Sequence, residues 1–397
     1  MAALTFEQAR RCVLERVRAA GPRCSVEQVD LLAAGGRVLA EDVVADRDQP
    51  SVNRSARDGF AIRAADVPGR LKVAGESRAG APPPAPLRPG EAVEIMTGAA
   101  LPEGADAVIM VEHVRREGGD IVYERAAAPG ENYNPRGCEV RAGQVVLRRG
   151  QRIGYRQMGM LAATGSVQPR VFRRPRAAIL PTGDEIIAPE QTPLPHQIRN
   201  SNSYSLWQQV TRSGGDPVLL DPVPDDYEAT RRAIEQALET DLVLLSGGVS
   251  AGKYDVVEQV LGDLGAEFYF DRVLIQPGQP LVFGRLKDRF FFGLPGNPAS
   301  TMVTFELFAR AALELLGGCE QPELPLAQAI LTQDFRQRPG LRRFLPAWLD
   351  GEGGRVTPVP WHGSGDLAAL VRSNCFMVTE PERECWRAGE LIGVLLI

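Results

Sequence analysis

The sequence predicts a multidomain α/β protein. A mostly parallel sheet flanked by helices follows β-rich modules of short strands and precedes a small β domain. Three observations carry this. The chain has 397 residues, enough for two or three domains at roughly 150 residues each. Its texture changes near Arg174 and again near Gly317–Gly318. Between those points continuous apolar runs alternate with amphipathic helical patterns, as βαβ units with strands buried on both faces require.

Residues 5–20 set apolar side chains at helical spacing among charges and read as one amphipathic helix. From Val38 to about Val171 short β-like runs follow, among them AVEIM (92–96), AVIMVEHV (107–114) and IVYERA (121–126). Gly- and Pro-rich stretches such as AGAPPPAPLRPGE separate them as turns. The strands of the central block are RAAILP (176–181), PVLLDPV (217–223), DLVLLSGG (241–248) and RFFFGLPG (289–296). Its helices are SYSLWQQVTRSGG, DDYEATRRAIEQALE, DVVEQVLGDLG and TMVTFELFARAALELL. The last ~80 residues return to short strands with turns (LAQAILTQDF, FLPAWL, CFMVTE, LIGVLLI), a small β domain.

Composition excludes several function classes. Basic residues number 45 against 50 acidic, a net charge of −5, which argues against a nucleic-acid binder with its basic stripe. Only Lys72, Lys253 and Lys287 are lysines, leaving 42 arginines, the mark of GC-rich codon usage. Six scattered cysteines without a CxxC pair, and three histidines, give neither zinc-site spacing nor a disulfide framework. The N-terminus lacks the apolar core of a signal peptide, and no run approaches the 18 apolar residues of a membrane span. A cytoplasmic protein that binds neither nucleic acid nor membrane is expected.

Chemistry is expected where loops converge beyond the carboxyl ends of parallel strands. Three Gly-rich polar segments have that placement: LPTGDEI (180–186), LLSGGVSAGKYD (244–255) and GLPGNPAS (293–300). Backbone N–H groups in such turns suit phosphate or other oxyanions. Gly247, Gly252 and Lys253 fit the P-loop spacing, but Tyr254 stands where a P-loop needs a Ser or Thr hydroxyl for magnesium, so the match is accidental. Asp184, Glu185, Asp225, Asp226 and Asp255 fall near strand ends. Carboxylates there suit a hard cation such as magnesium, but each taken alone reads as a helix N-cap or first-turn acid rather than a ligand, which fits Asp225 and Asp255 well.

Several strings resemble the molybdopterin molybdenumtransferase family, the MoeA proteins, to which the E domain of gephyrin is similar. They are RSARDGFAI (54–62), EIMTGAALPEGADAVIMVE (94–112), LPTGDEI, LLSGGVSAGKYD, QPGQP (276–280) and GLPGNPAS. RGCEVRAGQVV (136–146) and HGSGDLAALVRSNCF (362–376) match more loosely. The resemblance runs through nearly the whole chain in order. It implies a dimerisation body over 1–45 and 136–172, an inserted β-rich domain over 46–135, a doubly wound molybdopterin-binding domain over 173–318 and a C-terminal β-barrel-like domain over 319–397.

The resemblance also implies a homodimer that inserts molybdate into adenylylated molybdopterin with release of AMP, assisted by Mg2+. A molybdopterin adenylyltransferase would supply it, and apo-molybdoenzymes or their chaperones would receive its product. The site would lie between the α/β domain of one subunit and the inserted domain of the other. Carried over by position, Asp58, Thr97, Glu185, Asp255 and Arg272 are the candidate catalytic residues, with Asp58, Glu185 and Asp255 toward the metal. Thr182, Gly183, Asp225, Ser246, Gly247, Gly248 and Ser250 would cradle the pterin and its phosphates. Pro295, Asn297, Pro298 and Ser300 would shape the molybdate end.

The chain departs from the family pattern at that end. Lys-Pro-Gly-Lys-Pro is here Gln276-Pro-Gly-Gln279-Pro, so two cations are neutral amides. Pro346 stands where an Arg is frequent, and Asn200 where Asp is usual. Arg57, Arg272, Arg342 or Arg343 would then hold the oxyanion, since a charged hydrogen bond is roughly twice as strong as a neutral one. The alternative is a divergent paralogue that binds molybdopterin as carrier, regulator or scaffold.

Overall fold

The computed structural model describes residues 2–247 and 256–397. The chain forms two compact units, residues 1–40, 150–154 and 170–397 in one, and 41–149 and 155–169 in the other. Among the described residues no helix is long and apolar enough to cross a membrane.

The smaller unit is built on a six-stranded sheet in the order Ala107–Met110, Gly59–Ile62, Glu91–Ile95, Gly69–Ser77, Asp120–Tyr123, Arg115–Glu117. Only Glu91–Ile95 against Gly69–Ser77 is parallel. Both faces of the centre are covered. Phe60, Ile62, Ala107 and Ile109 pack on one side, and Ala61, Val93, Ile95 and Val108 on the other, as strand alternation dictates. The run expected as one strand over 107–114 turns at Met110 into a 3-10 turn, Val111–His113. Beyond Met110 no residue of that turn is buried, so nothing there rewards a continued ladder.

In the larger unit, α1 (Phe6–Ala20) opens with a capping box between Thr5 and Gln8 and buries Phe6, Ala9, Val13 and Val17. The central sheet comprises β1 (Arg176–Pro181), β2 (Asp216–Leu219), β3 (Leu242–Ser246), β4 (Glu267–Arg272), β5 (Pro280–Leu286) and β6 (Arg289–Leu294). Its order is β2-β1-β3-β6-β5-β4. The β2/β1, β1/β3 and β3/β6 pairs are parallel, and β6/β5 and β5/β4 antiparallel. The antiparallel half is not anticipated by the βαβ pattern: β4 (EFYFDR) has a charge at each end, Arg285 interrupts β5 (PLVFGRL), and only Lys287 and Asp288 separate β5 from β6.

Helices cover both faces of this sheet. Ala177 and Ile179 of β1 face α1, α2 (Asn202–Arg212) and a long C-terminal helix. Ala178 and Leu180 face α3 (Tyr227–Ala237) and α4 (Val256–Asp263). The long helix, α5, runs from Pro298 through Thr304, a π turn at Phe305–Ala309, and on to Leu316. At the π turn the Leu307 carbonyl accepts from the Arg10 guanidinium at 2.5 Å, so α1 supplies a partner where the helical ladder is disturbed.

The C-terminal segment closes on itself. Strands Arg342–Asp350, Arg355–Pro358, Leu326–Leu331, Leu391–Leu396 and Cys375–Thr379 pair in turn, and the last pairs back to the first. The barrel core holds Leu331, Ala347, Met377, Trp386 and Val394. Ile275–Gln276 joins it as a short parallel strand against Arg342–Arg343.

Candidate functional site

From β1 the chain goes outward to β2 and then crosses to β3 on the other side, so β1 and β3 flank a topological switch point. The segments beyond β1, β3 and β6 meet there. The Thr182 N–H donates to the Ser246 carbonyl at 3.0 Å, and the Gly247 N–H to the Leu294 carbonyl at 3.2 Å. Gly247 has φ +97°, and a Cβ on it would sit 2.5 Å from the Thr182 carbonyl oxygen, so the two loops touch only because it is glycine. The result is a cleft of about 350 Å³. Thr182, Glu185, Ser246, Gly247, Pro295, Asn297 and Pro298 line it, together with Ile186, Ile198, Asn200 and Asn202.

The acids around this cleft divide into two roles. Asp226, not Asp225, caps α3 by accepting from the Ala229 N–H at 2.8 Å. The Asp225 N–H instead donates to Asp184 Oδ1 at 3.1 Å. Burial, then the charges of Asp184 and Glu185, push the Asp225 carboxyl above the ordinary Asp value. Glu185 folds back over Gly183, whose φ is +132°. The three carboxylates thus form a negative patch at the strand ends.

A second cleft of about 280 Å³ lies against the first, and Pro280, Pro295 and Asn297 line both. Gln276, Gln279, Ser300 and Ser364 give its wall polar groups, and Ile275, Pro277, Gly278, Leu341 and Trp361 complete it. Asn297 Nδ2 donates to Ser364 Oγ at 3.0 Å, and the Ala299 N–H to the Ser364 carbonyl at 2.9 Å, fastening the 361–366 segment to the start of α5. Arg343 Nε donates to Gln276 Oε1 at 2.7 Å, and its Nη1 to the Arg338 carbonyl. Arg342 is engaged elsewhere, paired with Glu7 at 2.6 Å and lying over the Phe6 ring. Arg272 stands opposite Pro280 in the β4/β5 ladder with an exposed side chain.

In the smaller unit Asp58 and Thr97 meet. They flank the antiparallel Gly59↔Ile95 pair. Asp58 Oδ1 accepts from the Thr97 N–H at 2.6 Å and its Oγ1 at 2.8 Å. Those two bonds hold the Asp58 carboxyl below the usual Asp range. A Cβ at Gly59 would lie 1.9 Å from the Ile109 carbonyl oxygen, which accounts for glycine in the Arg57-Asp58-Gly59-Phe60 string.

The structure therefore gathers Thr182, Glu185, Ser246, Gly247 and Pro298 in one cleft, and Ser300 in the adjoining cleft, while Gly183 and Asp225 are not part of either lining. Pro295 and Asn297 serve both. Gly248, Ser250 and Asp255 lie outside the described residues. Among the described residues no group of three or more His, Cys, Asp or Glu side chains could hold a metal by itself. Sequence reasoning missed Ile186, Ile198, Asn202, Trp361 and Ser364. Asn200, singled out only as a departure, accepts from the Ser203 N–H at 3.1 Å, so an amide serves there as a helix cap. Its Ser201-Asn202 successors, opening a helix beside the switch point, were the available signal.

Comparison with known proteins places this architecture. Residues 4–165 match the family described as MoeA N-terminal region (domain I and II), and residues 328–397 the MoeA C-terminal region (domain IV). Residues 178–315, which carry the strand-end cleft, match a probable molybdopterin binding domain. The fold and cleft thus define a multidomain protein built around a domain of that class. The molybdopterin molybdenumtransferase of Nostoc sp. is 36% identical over 89% of this chain and 84% of its own length. That of Haemophilus influenzae is 34% identical over 98% of both. A crystal structure of the molybdopterin biosynthesis MoeA protein from Pyrococcus horikoshii OT3 covers 100% of both chains at 31% identity, with a TM-score of 0.81. The chain belongs to the MoeA family.

Proposed function

We propose that this chain transfers molybdenum from molybdate into adenylylated molybdopterin and releases AMP. One observation carries the reading: two clefts share a wall at Pro280, Pro295 and Asn297. The larger suits a fused heterocycle with phosphates, and the smaller, where the amides of Gln276, Gln279 and Asn297 and the hydroxyls of Ser300 and Ser364 stand among apolar side chains, suits a tetrahedral oxyanion. A common wall brings the two reactants together, so positioning supplies much of the rate. The dithiolene sulfurs replace oxo groups of molybdate, which leave as water, and hydrolysis of the phosphoanhydride separates AMP.

Gln276 gives its carbonyl oxygen to Arg343 and so turns the amide toward donating. Arg343 and Arg272 supply the positive charge that two lysines would otherwise give. Glu185, beside Asp184 and Asp225, would give a divalent cation one or two carboxylate oxygens, with the substrate's phosphates supplying the rest. Bound there, Mg2+ would neutralise charge on the phosphoanhydride. We further propose a homodimer in which Asp58 and Thr97 of one copy complete the clefts of the other. An adenylyltransferase supplies the substrate, and apo-molybdoenzymes or their chaperones take the product.

The test is direct. Purified protein is given adenylylated molybdopterin, molybdate and Mg2+, and AMP release is followed with reconstitution of an apo-molybdoenzyme. Release of AMP with active cofactor is the expected result. Tight binding without turnover would instead favour the carrier reading that neutral Gln276 and Gln279 support.

A further inference from the structure

We infer that Asn202 determines specificity in the larger cleft, its Oδ1 accepting a hydrogen bond from an N–H group on the substrate's fused nitrogen heterocycle. The inference rests on reading that cleft as the pterin-nucleotide site. Asn202 opens α2 and lines the cleft. Its Nδ2 donates to the Gly296 carbonyl at 2.7 Å and to Ser246 Oγ at 3.1 Å. A backbone carbonyl can only accept, so the amide orientation is fixed, and both amide hydrogens are committed to protein. The other end, Oδ1, is buried with no hydrogen-bond partner.

A buried unpaired acceptor costs free energy until something donates to it. Thr182, 2% exposed in the same lining, has an Oγ1 that is likewise unpartnered. A hydroxyl donates or accepts and so discriminates little. The Asn202 carbonyl only accepts, and would set oxygen against oxygen with a phosphate, carboxylate or keto group. Ile186 and Ile198 give the cleft apolar surface against which a ring can lie. The combination selects the amino-bearing edge of a flat heterocycle. Both a pterin, through its 2-amino group, and an adenylate, through its 6-amino group, carry one.

The test compares ligands differing at that group alone, by calorimetry on the full-length protein. Pterin is set against pteridin-4(3H)-one, in which a hydrogen replaces the 2-amino group, and AMP against purine riboside 5′-monophosphate, which lacks the 6-amino group. The wild-type protein should favour the aminated member of one pair about tenfold, the scale of one neutral hydrogen bond. The pair affected identifies which ring meets Asn202. Asn202→Leu should bind both members of that pair equally. Equal binding of both pairs by the wild-type protein would overturn the proposal even if the variant failed to fold. Discrimination surviving in Asn202→Leu would also overturn it. If neither pterin nor AMP bound at all, the reading of the cleft would fall, and this inference with it.

Discussion

Asp58 shows how little is needed to set a carboxylate. Its partners, the Thr97 N–H and hydroxyl, both converge on Oδ1. Because they favour the charged form, the folded pKa lies below the unfolded value of about 3.9. The contribution to stability is therefore present above the unfolded value and lost as pH falls through the folded one. Carboxyl-carbon NMR should place the Asp58 titration below the ordinary Asp range, and Thr97→Val should move it upward. At the second cleft, Arg343 touches Gln276 while Arg342 is held by Glu7. Arg343→Ala should raise the KM for molybdate about tenfold, the worth of one charge-assisted contact, with Arg342→Ala near wild type in steady-state AMP release. Sequence alone narrowed the cations to four arginines but could not choose between neighbours, since the choice depends on which face of a strand each occupies. It likewise offered Asp225 as a cap, a role that Asp226 fills one residue later.

At the level of elements, the strands and helices of the central block were legible because burial on two faces leaves long apolar runs. The antiparallel strands β4 and β5 were not. Glu267 and Arg272 end one, and Arg285 interrupts the other, and a strand covered less evenly loses the continuous pattern. Resemblance carried the glycine in the string RDGF; its cause is a backbone approach across the smaller unit's sheet. Gly59→Ala should destabilise that unit by ~3 kcal/mol, the upper part of the overpacking range, read as a lowered urea midpoint with the slope unchanged. The π turn in α5 was invisible in the spacing of TMVTFELFARAALELL, because a single extra residue shifts the apolar stripe by less than its own width. What reveals it is a long-range partner, Arg10, almost three hundred positions away.

For the whole molecule, the proposed arrangement of two copies makes a sharp demand. If Asp58 of one copy completes the clefts of the other, two differently impaired variants should complement one another. Asp58→Ala and Arg343→Ala proteins, unfolded together, refolded as a mixture and assayed at molybdate well below the wild-type KM, should regain about a quarter of wild-type AMP release, as random pairing about a two-fold axis gives. Each variant alone should stay at about a tenth of wild-type release or less under those conditions. No recovery, with heterodimers demonstrated by native mass spectrometry, would place Asp58 and the clefts within one copy. The broad plan of the molecule, a central α/β block with β-rich parts before and after it, could be read from texture alone. The closure of the last segment into a barrel could not, because closure depends on Cys375–Thr379 pairing with Arg342–Asp350, and pairings leave no trace in composition.

The short ladder of Ile275–Gln276 against Arg342–Arg343 has a consequence for how this protein could diverge. Neighbouring residues of a strand point to opposite faces, so a slip of one position would set Arg342 where Arg343 now meets Gln276 and push Arg343 into the place of Phe344. Phe344 is buried against Phe6 of α1, so that aromatic contact fixes which arginine reaches the cleft. A relative carrying its cleft cation one position earlier would have to repack that ring as well.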